Sequence, residues 1–392
     1  MKLEKNIMTE ILKLNDISKV AENALGNDYT LVKESADPKG IMLRSFNMHD
    51  YEIPSSVLCV GRAGAGVNNI PIPKCSEQGI VVFNTPGANA NAVKELVLCG
   101  LLLASRKVTA GIEWTNTLKG TPDISKQVEK GKKAFVGPEI AGKTLGIIGL
   151  GAIGALVANA AIALGMKVIG YDPYISIDGA WHLDNHVIKE TDLSALFAKC
   201  DYVTLHVPLT DSTRELVNKA SIENMKDGIA ILNFARGELV NNADIIEAVK
   251  SGKVSRYVTD FACDELLGVE DIICTPHLGA STPEAEDNCA VMVARQMVDF
   301  FENGNIVNSV NLPRCQVARQ GKCRITVFHR NIKNVINSIT TVISEEGVNI
   351  ANLVSQSKGD YAYIIIDLDD SVNEHVIERI KSLDNIIRLR VL

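Results

Sequence analysis

The chain lacks the long apolar segments and the paired cysteines that mark membrane proteins and disulfide-rich secreted proteins. No apolar run in its 392 residues approaches the ~20 residues needed to cross a bilayer, and the first ten residues, MKLEKNIMTE, lack the apolar core of a secretory signal. Nine cysteines lie at irregular spacing with no C-x-x-C pair, so neither a disulfide framework nor a bound metal is expected. We therefore predict a cytoplasmic protein without a membrane partner.

The sequence also has no excess of positive charge. Its 40 Lys and Arg are outnumbered by 47 Asp and Glu, which gives a formal net charge of −7. Nucleic-acid affinity comes mainly from clustered Lys and Arg on phosphates, so a nucleic-acid partner is not expected. A hydrophobic fraction of 46% and a charged fraction of 22% are typical of globular proteins, and the length predicts two or three domains.

From Leu145 onward, short apolar segments alternate with helix-like segments. The predicted strands are 145–149, 167–172, 201–208, 228–235, 255–262 and 271–277, with predicted helices at 153–164, 193–199 and 243–250. Apolar strands joined by helices form a parallel sheet that is covered on both faces. We therefore predict a doubly wound α/β domain of the Rossmann type over residues 105–280.

The segments on either side of this domain predict further domains. Residues 1–104 carry a looser α/β pattern, and the helical stretch 281–303 could return to pack on them within a smaller substrate-binding domain. Residues 304–321 contain Gly, Asn and Pro and are predicted to be a linker. Residues 322–392 follow the order strand–helix–strand–strand–helix–strand, which is the ferredoxin-like arrangement.

A glycine-rich motif opens the first helix of the doubly wound domain. Gly149, Gly151 and Gly154 form G-x-G-x-x-G after a strand and before a helix. The first glycine permits the turn, the second lets the backbone approach a pyrophosphate, and the third allows close helix–strand packing. Asp172 ends the next strand, where a carboxylate can accept hydrogen bonds from ribose hydroxyls and repel a 2′-phosphate. The pattern predicts NAD rather than NADP; the alternative is a glycine-rich turn with an incidental acid.

Three polar residues follow later strands of the same sheet, at the carboxyl edge where open α/β sheets bind ligands. Arg236 follows GIAILNFA, Glu265 follows SRYVTDFA, and His277 ends DIICTPH. Oxidation of a 2-hydroxy acid needs a base, a carboxylate that orients the base and a cation that anchors the substrate carboxylate, and His, Glu and Arg suit these roles. The alternatives are a surface ion pair for Arg236 and Glu265 and a core position for His277.

Together, GLGAIG…YD, NFARGELV, the Asp260…Glu265 pair and CTPHLGAST resemble the D-isomer-specific 2-hydroxyacid dehydrogenases over about residues 57–303. The resemblance implies NAD as cofactor, a flavodoxin-like substrate-binding domain, and Arg236, Glu265 and His277 as the catalytic set. It also implies that a larger group of loop residues contacts the cofactor: Thr85, Gly149, Gly151, Ala152, Ile153, Gly154, Asp172, Val207, Phe234, Ala235, Asp260, Leu278, Gly279 and Ala280.

The segment GRAGAGVNNI resembles the substrate loop of that family. In this loop the backbone of Ala63, Gly64, Ala65 and Gly66 could aim successive N–H groups at an anion, as a backbone nest does. Arg62 could hold a second negative charge such as a phosphate; the alternative is a solvated loop cation. We therefore expect Arg62, Ala63 and Gly64 to bind the substrate.

Residues 322–392 resemble an ACT domain, a module that senses amino acids. The family members that commonly end in this module oxidise D-3-phosphoglycerate to 3-phosphohydroxypyruvate in the first step of L-serine biosynthesis, so the resemblance implies that substrate. His329, Asn331 and Asn349 match residues that would bind a serine effector at a paired ACT interface, in a homodimer or homotetramer. The usual N-x-P-G turn reads Asn331-Ile332-Lys333-Asn334, which leaves a purely structural pairing role open.

Two other functions stay open from the sequence. One is the same chemistry on another 2-hydroxy acid, such as glyoxylate or D-lactate. The other is an NAD-sensing regulator that acts through partners. The intact Arg236, Glu265 and His277 set favours an enzyme.

Overall fold

The structure is a computed structural model that describes residues 8–392, which form two compact units. The first unit comprises the described residues up to Ala88 together with Glu286–Leu392, and the second comprises Asn89–Ala285. The segment MKLEKNI, on which part of the secretory-signal prediction depends, lies outside the described residues. Within residues 8–392, no helix combines the length and the apolar character that a bilayer crossing requires.

The first unit begins with a five-stranded parallel sheet. Its elements are β1 (Thr9–Lys13), α1 (Val20–Leu25), β2 (Tyr29–Val32), β3 (Gly40–Leu43), β4 (Cys59–Arg62), α2 (Ile72–Glu77) and β5 (Val81–Phe83). The strand order β2-β1-β3-β4-β5 is the flavodoxin-like order, as predicted. β1 is absent from the predicted strands because five residues, TEILK, are too few to separate a strand from a helix by period alone.

The second unit begins with three helices and continues into a seven-stranded sheet. The helices are α3 (Ala90–Ser105), α4 (Val108–Thr117) and α5 (Ile124–Gly131), followed by a 3-10 turn at Lys132–Phe135. The remaining elements are β6 (Thr144–Ile148), α6 (Ala152–Ala163), β7 (Lys167–Tyr171), α7 (Ile177–Trp181), β8 (Ile188–Lys189), α8 (Leu193–Lys199), β9 (Tyr202–Leu205), α9 (Lys219–Glu223), β10 (Ile229–Asn233), α10 (Asn242–Lys250), β11 (Val254–Thr259) and β12 (Ile272–Cys274).

The strand order of this second sheet is β12-β11-β10-β9-β6-β7-β8, and every neighbouring pair is parallel. The order reverses between β6 and β9, which is the switch point where open α/β sheets bind ligands. β9 and β10 are buried at every residue, because a parallel sheet of this kind is covered on both faces. The predicted doubly wound fold is confirmed.

Helix α3 belongs to the second unit, whereas the predicted first domain extends to residue 104. The buried face of α3, which includes Val97 and Leu101, lies in one apolar cluster with residues of α6 and β10. The boundary between the units therefore follows Ala88. The period of the sequence predicts a helix here, but it does not tell which sheet the apolar face covers.

The first unit resumes within helix α11 (Pro283–Asn303), from Glu286 onward. Val293 and Met297 of this helix are fully buried in one apolar cluster with Met42 and Val81 of the first sheet. Helix α11 thus covers one face of that sheet, and the loops that follow β3, β4 and β5 lie at its carboxyl edge.

Residues 304–321, predicted to be a linker, are built into the first unit. Ser309 forms a bridge with Phe83 of β5. The buried Asn311 side chain accepts the Val82 N–H at 2.9 Å and donates to the Ile80 carbonyl at 2.8 Å. The polar residues of this segment therefore satisfy buried backbone groups at the edge of the sheet instead of marking a free connection.

The last part of the first unit is a four-stranded antiparallel sheet with two helices. Its elements are β13 (Cys323–Arg330), α12 (Val335–Glu345), β14 (Ile350–Lys358), β15 (Tyr361–Leu368), α13 (Glu374–Lys381) and β16 (Ile386–Val391). The strand order is β14-β15-β13-β16. This is the predicted ferredoxin-like arrangement.

Buried arginines attach this small sheet to the rest of the first unit. Arg324 and Asp367 form a bidentate ion pair with N–O distances of 2.6 and 2.8 Å, and neither side chain is exposed. Arg390 donates to the carbonyls of Phe300 and Phe301, at the end of α11, at 2.9 and 2.7 Å. Arg324 also donates from Nη1 to the carbonyls of Asn303 and Val317, at 2.8 and 3.2 Å. Because both guanidinium groups satisfy carbonyls outside the small sheet, these contacts fix the sheet on the end of α11 and on the segment that follows it.

Candidate active site

The glycine motif forms a tight turn between β6 and α6. Gly149 has a φ of 92°, and a Cβ there would lie 2.5 Å from the His206 carbonyl, so only glycine fits. A Cβ on Gly154 would lie 1.9 Å from the Gly149 carbonyl, whereas one on Gly151 would meet nothing within 4 Å. The turn is therefore packed on its inner side and open at Gly151.

Helix α6 presents free donors at this open side. It begins at Ala152, continues with Ile153, and has no side-chain cap on its first residues. The first N–H groups of a helix have no acceptor within the helix, and the helix N-terminus favours negative charge. Open space at Gly151 and uncapped donors on α6 fit a dinucleotide pyrophosphate.

Asp172 follows β7 and is held against the glycine turn. One carboxylate oxygen accepts the Leu150 N–H and the other accepts the Tyr174 N–H, each at 2.8 Å. An ionised carboxylate has further lone pairs, so Asp172 can still accept from ribose hydroxyls. Val207, the next predicted contact, has a methyl group 2.9 Å from the Cβ position of Gly149 and so lines the same turn.

His206 supports this turn and is not placed for proton transfer. Its Nε2 lies 3.0 Å from the Thr204 hydroxyl, and its backbone N–H donates to the Ile148 carbonyl at 2.7 Å. Burial lowers the pKa of His206 from 6.5 to about 4, so the ring is neutral at physiological pH. His206 therefore forms part of the wall behind the motif.

The carboxyl ends of β10, β11 and β12 lie side by side, because the three strands are parallel neighbours. Arg236 follows β10 after the buried Phe234 and the half-buried Ala235. The Arg236 side chain is exposed, and one N–H donates to the Ala235 carbonyl at 2.6 Å. Within residues 8–392 it makes no ion pair, so its remaining donors are available to a carboxylate.

Asp260 follows β11 and is linked to the loop that carries His277. Its Oδ2 accepts the Gly279 N–H at 3.2 Å, whereas its buried Oδ1 has no hydrogen-bond partner. Burial raises the pKa of the Asp260 carboxyl above its usual value, and the neighbouring His277 offsets only part of this rise. A buried carboxylate oxygen without a donor is costly, so Oδ1 fits a ligand N–H such as that of the nicotinamide amide. Leu278 and Ala280 flank Gly279; Leu278 is exposed and Ala280 half-buried.

His277 and Glu265 have different neighbours in this structure. The exposed His277 ring lies 4.9 Å from the Phe261 ring, centroid to centroid. The Glu265 carboxylate accepts from the Asn242 side chain at 2.9 Å, and within residues 8–392 it makes no ion pair with His277. In this structure His277 is therefore a neighbour of Asp260, whereas Glu265 is hydrogen-bonded to Asn242.

The predicted substrate loop belongs to the first unit. Arg62 donates from Nε to the Arg44 carbonyl at 2.9 Å and from Nη1 to the Gly66 carbonyl. The Ala63 N–H extends the β3–β4 ladder to the Leu43 carbonyl at 2.8 Å, and the Gly64 N–H bonds the Arg62 carbonyl at 2.9 Å. Sheet and turn bonds thus use the N–H groups of Ala63 and Gly64, and anion binding by the loop from Ala63 to Gly66 stays a prediction.

Two further residues of the first unit bear on the site. Thr85, predicted to contact the cofactor, is fully buried, and its hydroxyl lies beside the Cys289 thiol; its contact with the cofactor stays a prediction. Arg44, absent from the predicted site, follows β3 at the same edge as Arg62 and pairs with Glu286. A polar residue directly after an apolar strand, as in GIMLRS, was the available signal.

Two segments of the chain match known protein families. Residues 106–279 match the D-isomer specific 2-hydroxyacid dehydrogenase NAD binding domain, and residues 324–385 match the ACT domain. The D-3-phosphoglycerate dehydrogenase of Haemophilus influenzae is 32% identical over 356 residues, which cover 87% of this chain and 82% of that protein. The hydroxypyruvate reductase of Thermotoga maritima is 39% identical over 255 residues, covering 63% and 78%.

A search of solved structures finds the same fold. The cofactor (NAD+)-bound 3-phosphoglycerate dehydrogenase of Entamoeba histolytica matches with a TM-score of 0.58 and 26% identity, over 78% of this chain and 99% of that chain. The chain spans about half the length of several other curated relatives it matches. The chain therefore belongs to the D-isomer-specific 2-hydroxyacid dehydrogenases. Its second unit carries the NAD-binding domain of that family, which bears out the NAD prediction, and its C-terminal sheet is an ACT domain.

Proposed function

We propose that the protein is an NAD-dependent dehydrogenase that oxidises D-3-phosphoglycerate to 3-phosphohydroxypyruvate, the first step of L-serine biosynthesis. The observation that carries the proposal is the alignment of Arg236, Asp260 and His277 after three adjacent strands, in a domain whose glycine turn fits NAD. The relative from Haemophilus influenzae, which the chain covers over 82% of its length, is named for this activity.

The site residues divide the work of the reaction. His277 accepts the proton of the C2 hydroxyl, since imidazole titrates nearest neutral pH. Arg236 binds the substrate carboxylate through its planar fork, and Glu265 orients His277. Asp260 and the uncapped start of α6 hold the cofactor, and NAD, when bound, accepts the hydride from C2. Fixing both reactants in one geometry supplies much of the rate gain without a covalent step.

Arginines at the carboxyl edge of the first sheet favour a phosphorylated substrate. Arg44 follows β3 and Arg62 ends the neighbouring β4, with Leu43 opposite Arg62 in the β3–β4 register. Two arginines at one edge of a sheet suit a dianionic phosphate better than a neutral hydroxyl. We therefore infer that Arg44 joins Arg62 in holding the substrate phosphate.

A substrate comparison tests this proposal. Reduction of 3-phosphohydroxypyruvate, hydroxypyruvate and glyoxylate by NADH should give kcat/KM about 100-fold higher for the phosphorylated acid, since two charge-assisted contacts contribute at least ~2.7 kcal/mol. Arg44→Ala should remove most of that preference. Arg314→Ala, a matched change at an exposed arginine of the same unit, should leave it unchanged. Equal or better turnover of hydroxypyruvate would contradict the substrate assignment.

Reduction of an unphosphorylated acid is the second candidate. It is favoured by the 39% identity to a protein named hydroxypyruvate reductase. It is also favoured by the present contacts of the two arginines, because Arg44 pairs with Glu286 and Arg62 donates to backbone carbonyls. Under this candidate, the wild type prefers hydroxypyruvate to 3-phosphohydroxypyruvate, and Arg44→Ala does not change the ratio of the two kcat/KM values.

We further propose that the ACT domain binds serine where two such domains pair. His329 is buried and its Nε2 has no partner, while Asn331 donates to the Gly359 carbonyl at 2.9 Å. Asn349 donates to Asp369 at 2.6 Å and lies at the opposite end of the sheet from Asn331. The two ends are seven strand residues apart, which corresponds to about 23 Å. The three side chains can share one ligand only across a pair of chains, so the proposal requires a homodimer or homotetramer.

Two measurements test the effector proposal. Light scattering after size-exclusion chromatography should give a dimer or tetramer, and serine should inhibit NADH oxidation in the wild type but not in Asn349→Ala. A monomer, or equal inhibition of both proteins, would contradict it.

We also propose a cytoplasmic location, which is supported by nine cysteines that are all free thiols; fractionation of the native host would test it.

A further inference from the structure

Asn242 is the hydrogen-bond partner of the Glu265 carboxylate. Its side-chain Nδ2 donates to Glu265 Oε2 at 2.9 Å and to the Cys263 Sγ at 3.3 Å. Within residues 8–392, Glu265 makes no other hydrogen bond and no ion pair. We propose that Asn242 is a positioning residue that fixes the Glu265 carboxylate so that Glu265 can orient His277. The inference rests on the proposed dehydrogenase function and deepens it.

The position of Asn242 is itself rigid. It is the first residue of α10, and the preceding Asn241 caps this helix by accepting the Asp244 N–H at 3.1 Å. The Asn241 N–H in turn donates to the Val217 carbonyl at 2.9 Å. Ile245 and Val249 anchor the helix in the core of the second unit. A donor on the first turn of a capped, buried helix has little freedom to move, and the positive end of the helix favours a carboxylate beside it.

Glu265 needs such an anchor because it borders open space. A cavity of about 530 Å³, lined by Asn242, Cys263 and Glu265, opens beside the carboxylate. Charged residues Arg214, Glu215 and Glu238 line the same cavity. A long acidic side chain next to water and to charges of both signs samples several rotamers, and fixing it costs conformational entropy.

The bond to Asn242 leaves the second oxygen of the carboxylate available. Asn242 engages Oε2 alone, and an ionised carboxylate accepts at both oxygens. Under the proposal, Oε1 accepts the His277 imidazole N–H during the reaction while Oε2 stays bound to Asn242. Without the amide, the carboxylate turns toward water in the cavity, and the imidazole loses its orienting partner.

Paired variants test the proposal. Asn242→Ala removes the donor, and Asn242→Asp replaces it with a like charge. Both should lower kcat for NADH-dependent reduction of 3-phosphohydroxypyruvate about 10- to 100-fold, as a misplaced catalytic group does. KM should change by less than about 3-fold because Arg236 still binds the substrate carboxylate. Asn241→Asp is the matched control: it adds the same charge at the same helix end, keeps a good cap, and should retain wild-type kcat.

A double-mutant cycle separates positioning from a merely structural effect. If Asn242 acts through Glu265, Asn242→Ala should have no further effect on kcat in a Glu265→Ala background. Additive losses would overturn the proposal, as would wild-type kcat in both Asn242 variants. If the wild type turns over no 2-hydroxy acid, the proposed function fails first. The crystal structure of Asn242→Ala then decides the inference, and an unmoved Glu265 carboxylate would overturn it.

Discussion

The Asp172 carboxylate accepts the backbone N–H of Leu150 at 2.8 Å, so the residue after β7 holds the glycine turn that follows β6. The sequence predicts that the same carboxylate binds the adenosine ribose and repels a 2′-phosphate. One side chain therefore links the shape of the turn to the choice of cofactor.

Replacing Asp172 by Ala should weaken NADH binding and relax cofactor choice. Loss of a charged hydrogen bond to the ribose costs roughly 1.5–3 kcal/mol, so the Kd for NADH should rise about 10-fold or more. The Kd for NADPH should fall or stay constant. Fluorescence titration measures both, and an unchanged ratio of the two would remove Asp172 from cofactor selection. Asp172→Asn, which keeps an acceptor for Leu150, should show the smaller stability loss.

Two glycines of the turn should respond differently to the same added methyl group. Gly151→Ala projects into open space and should leave the thermal midpoint of the apoprotein unchanged while NADH binding falls at least 10-fold, about 1.4 kcal/mol. Gly154→Ala drives a Cβ to 1.9 Å from the Gly149 carbonyl and should lower the midpoint itself. Calorimetry with and without NADH distinguishes them. Equal thermal midpoints for the two variants would contradict the account of this turn.

The doubly wound domain and its glycine turn were predictable because their signals are local. Apolar strands, helical segments and G-x-G-x-x-G occupy consecutive residues, and parallel strands necessarily place Arg236, Asp260 and His277 at one edge. The boundary after Ala88 was not predictable in this way, because the apolar face of α3 does not specify which sheet it covers.

Several details of the site depend on partners far away in the sequence. The Ala63 N–H is used by the Leu43 carbonyl, and Glu265 bonds Asn242, 23 residues earlier. Thr85 is buried beside Cys289 on α11. No motif encodes such pairs, since each follows from packing that only the folded chain defines.

The free energy of unfolding of the second unit should decrease as the pH falls, because His206 is buried in its neutral form. Burial lowers its pKa from 6.5 to about 4, so as the pH falls the unfolded chain takes up a proton before the folded one. The neutral ring therefore contributes fully above pH 6.5, and this stability is lost as the pH falls toward about 4, with a slope of at most ~1.4 kcal/mol per pH unit. Urea unfolding of wild type and His206→Asn should converge over this range. A pH-independent difference between them would contradict the assignment.

Breaking the Arg324–Asp367 pair should destabilise the ACT domain and its attachment to the rest of the first unit, because Asp367 holds the guanidinium that also binds the Asn303 and Val317 carbonyls. Both side chains are fully buried, so Asp367→Ala leaves an uncompensated cation at a cost of about 3–5 kcal/mol. The paired change Arg324→Met with Asp367→Leu should recover much of this loss. Urea unfolding measures each variant, and a loss below about 1 kcal/mol in Asp367→Ala would show that the pair is not the anchor.

The central claim is that His277 is the base at the carboxyl edge of the NAD domain, and turnover of His277→Asn tests it most directly. Steady-state oxidation of NADH with 3-phosphohydroxypyruvate should fall about 100-fold or more in kcat, because an amide of similar size cannot exchange the proton. The Kd for NADH should stay within about 2-fold, less than ~0.5 kcal/mol, because Asp172 and the glycine turn are untouched. A variant that keeps wild-type kcat would contradict the account.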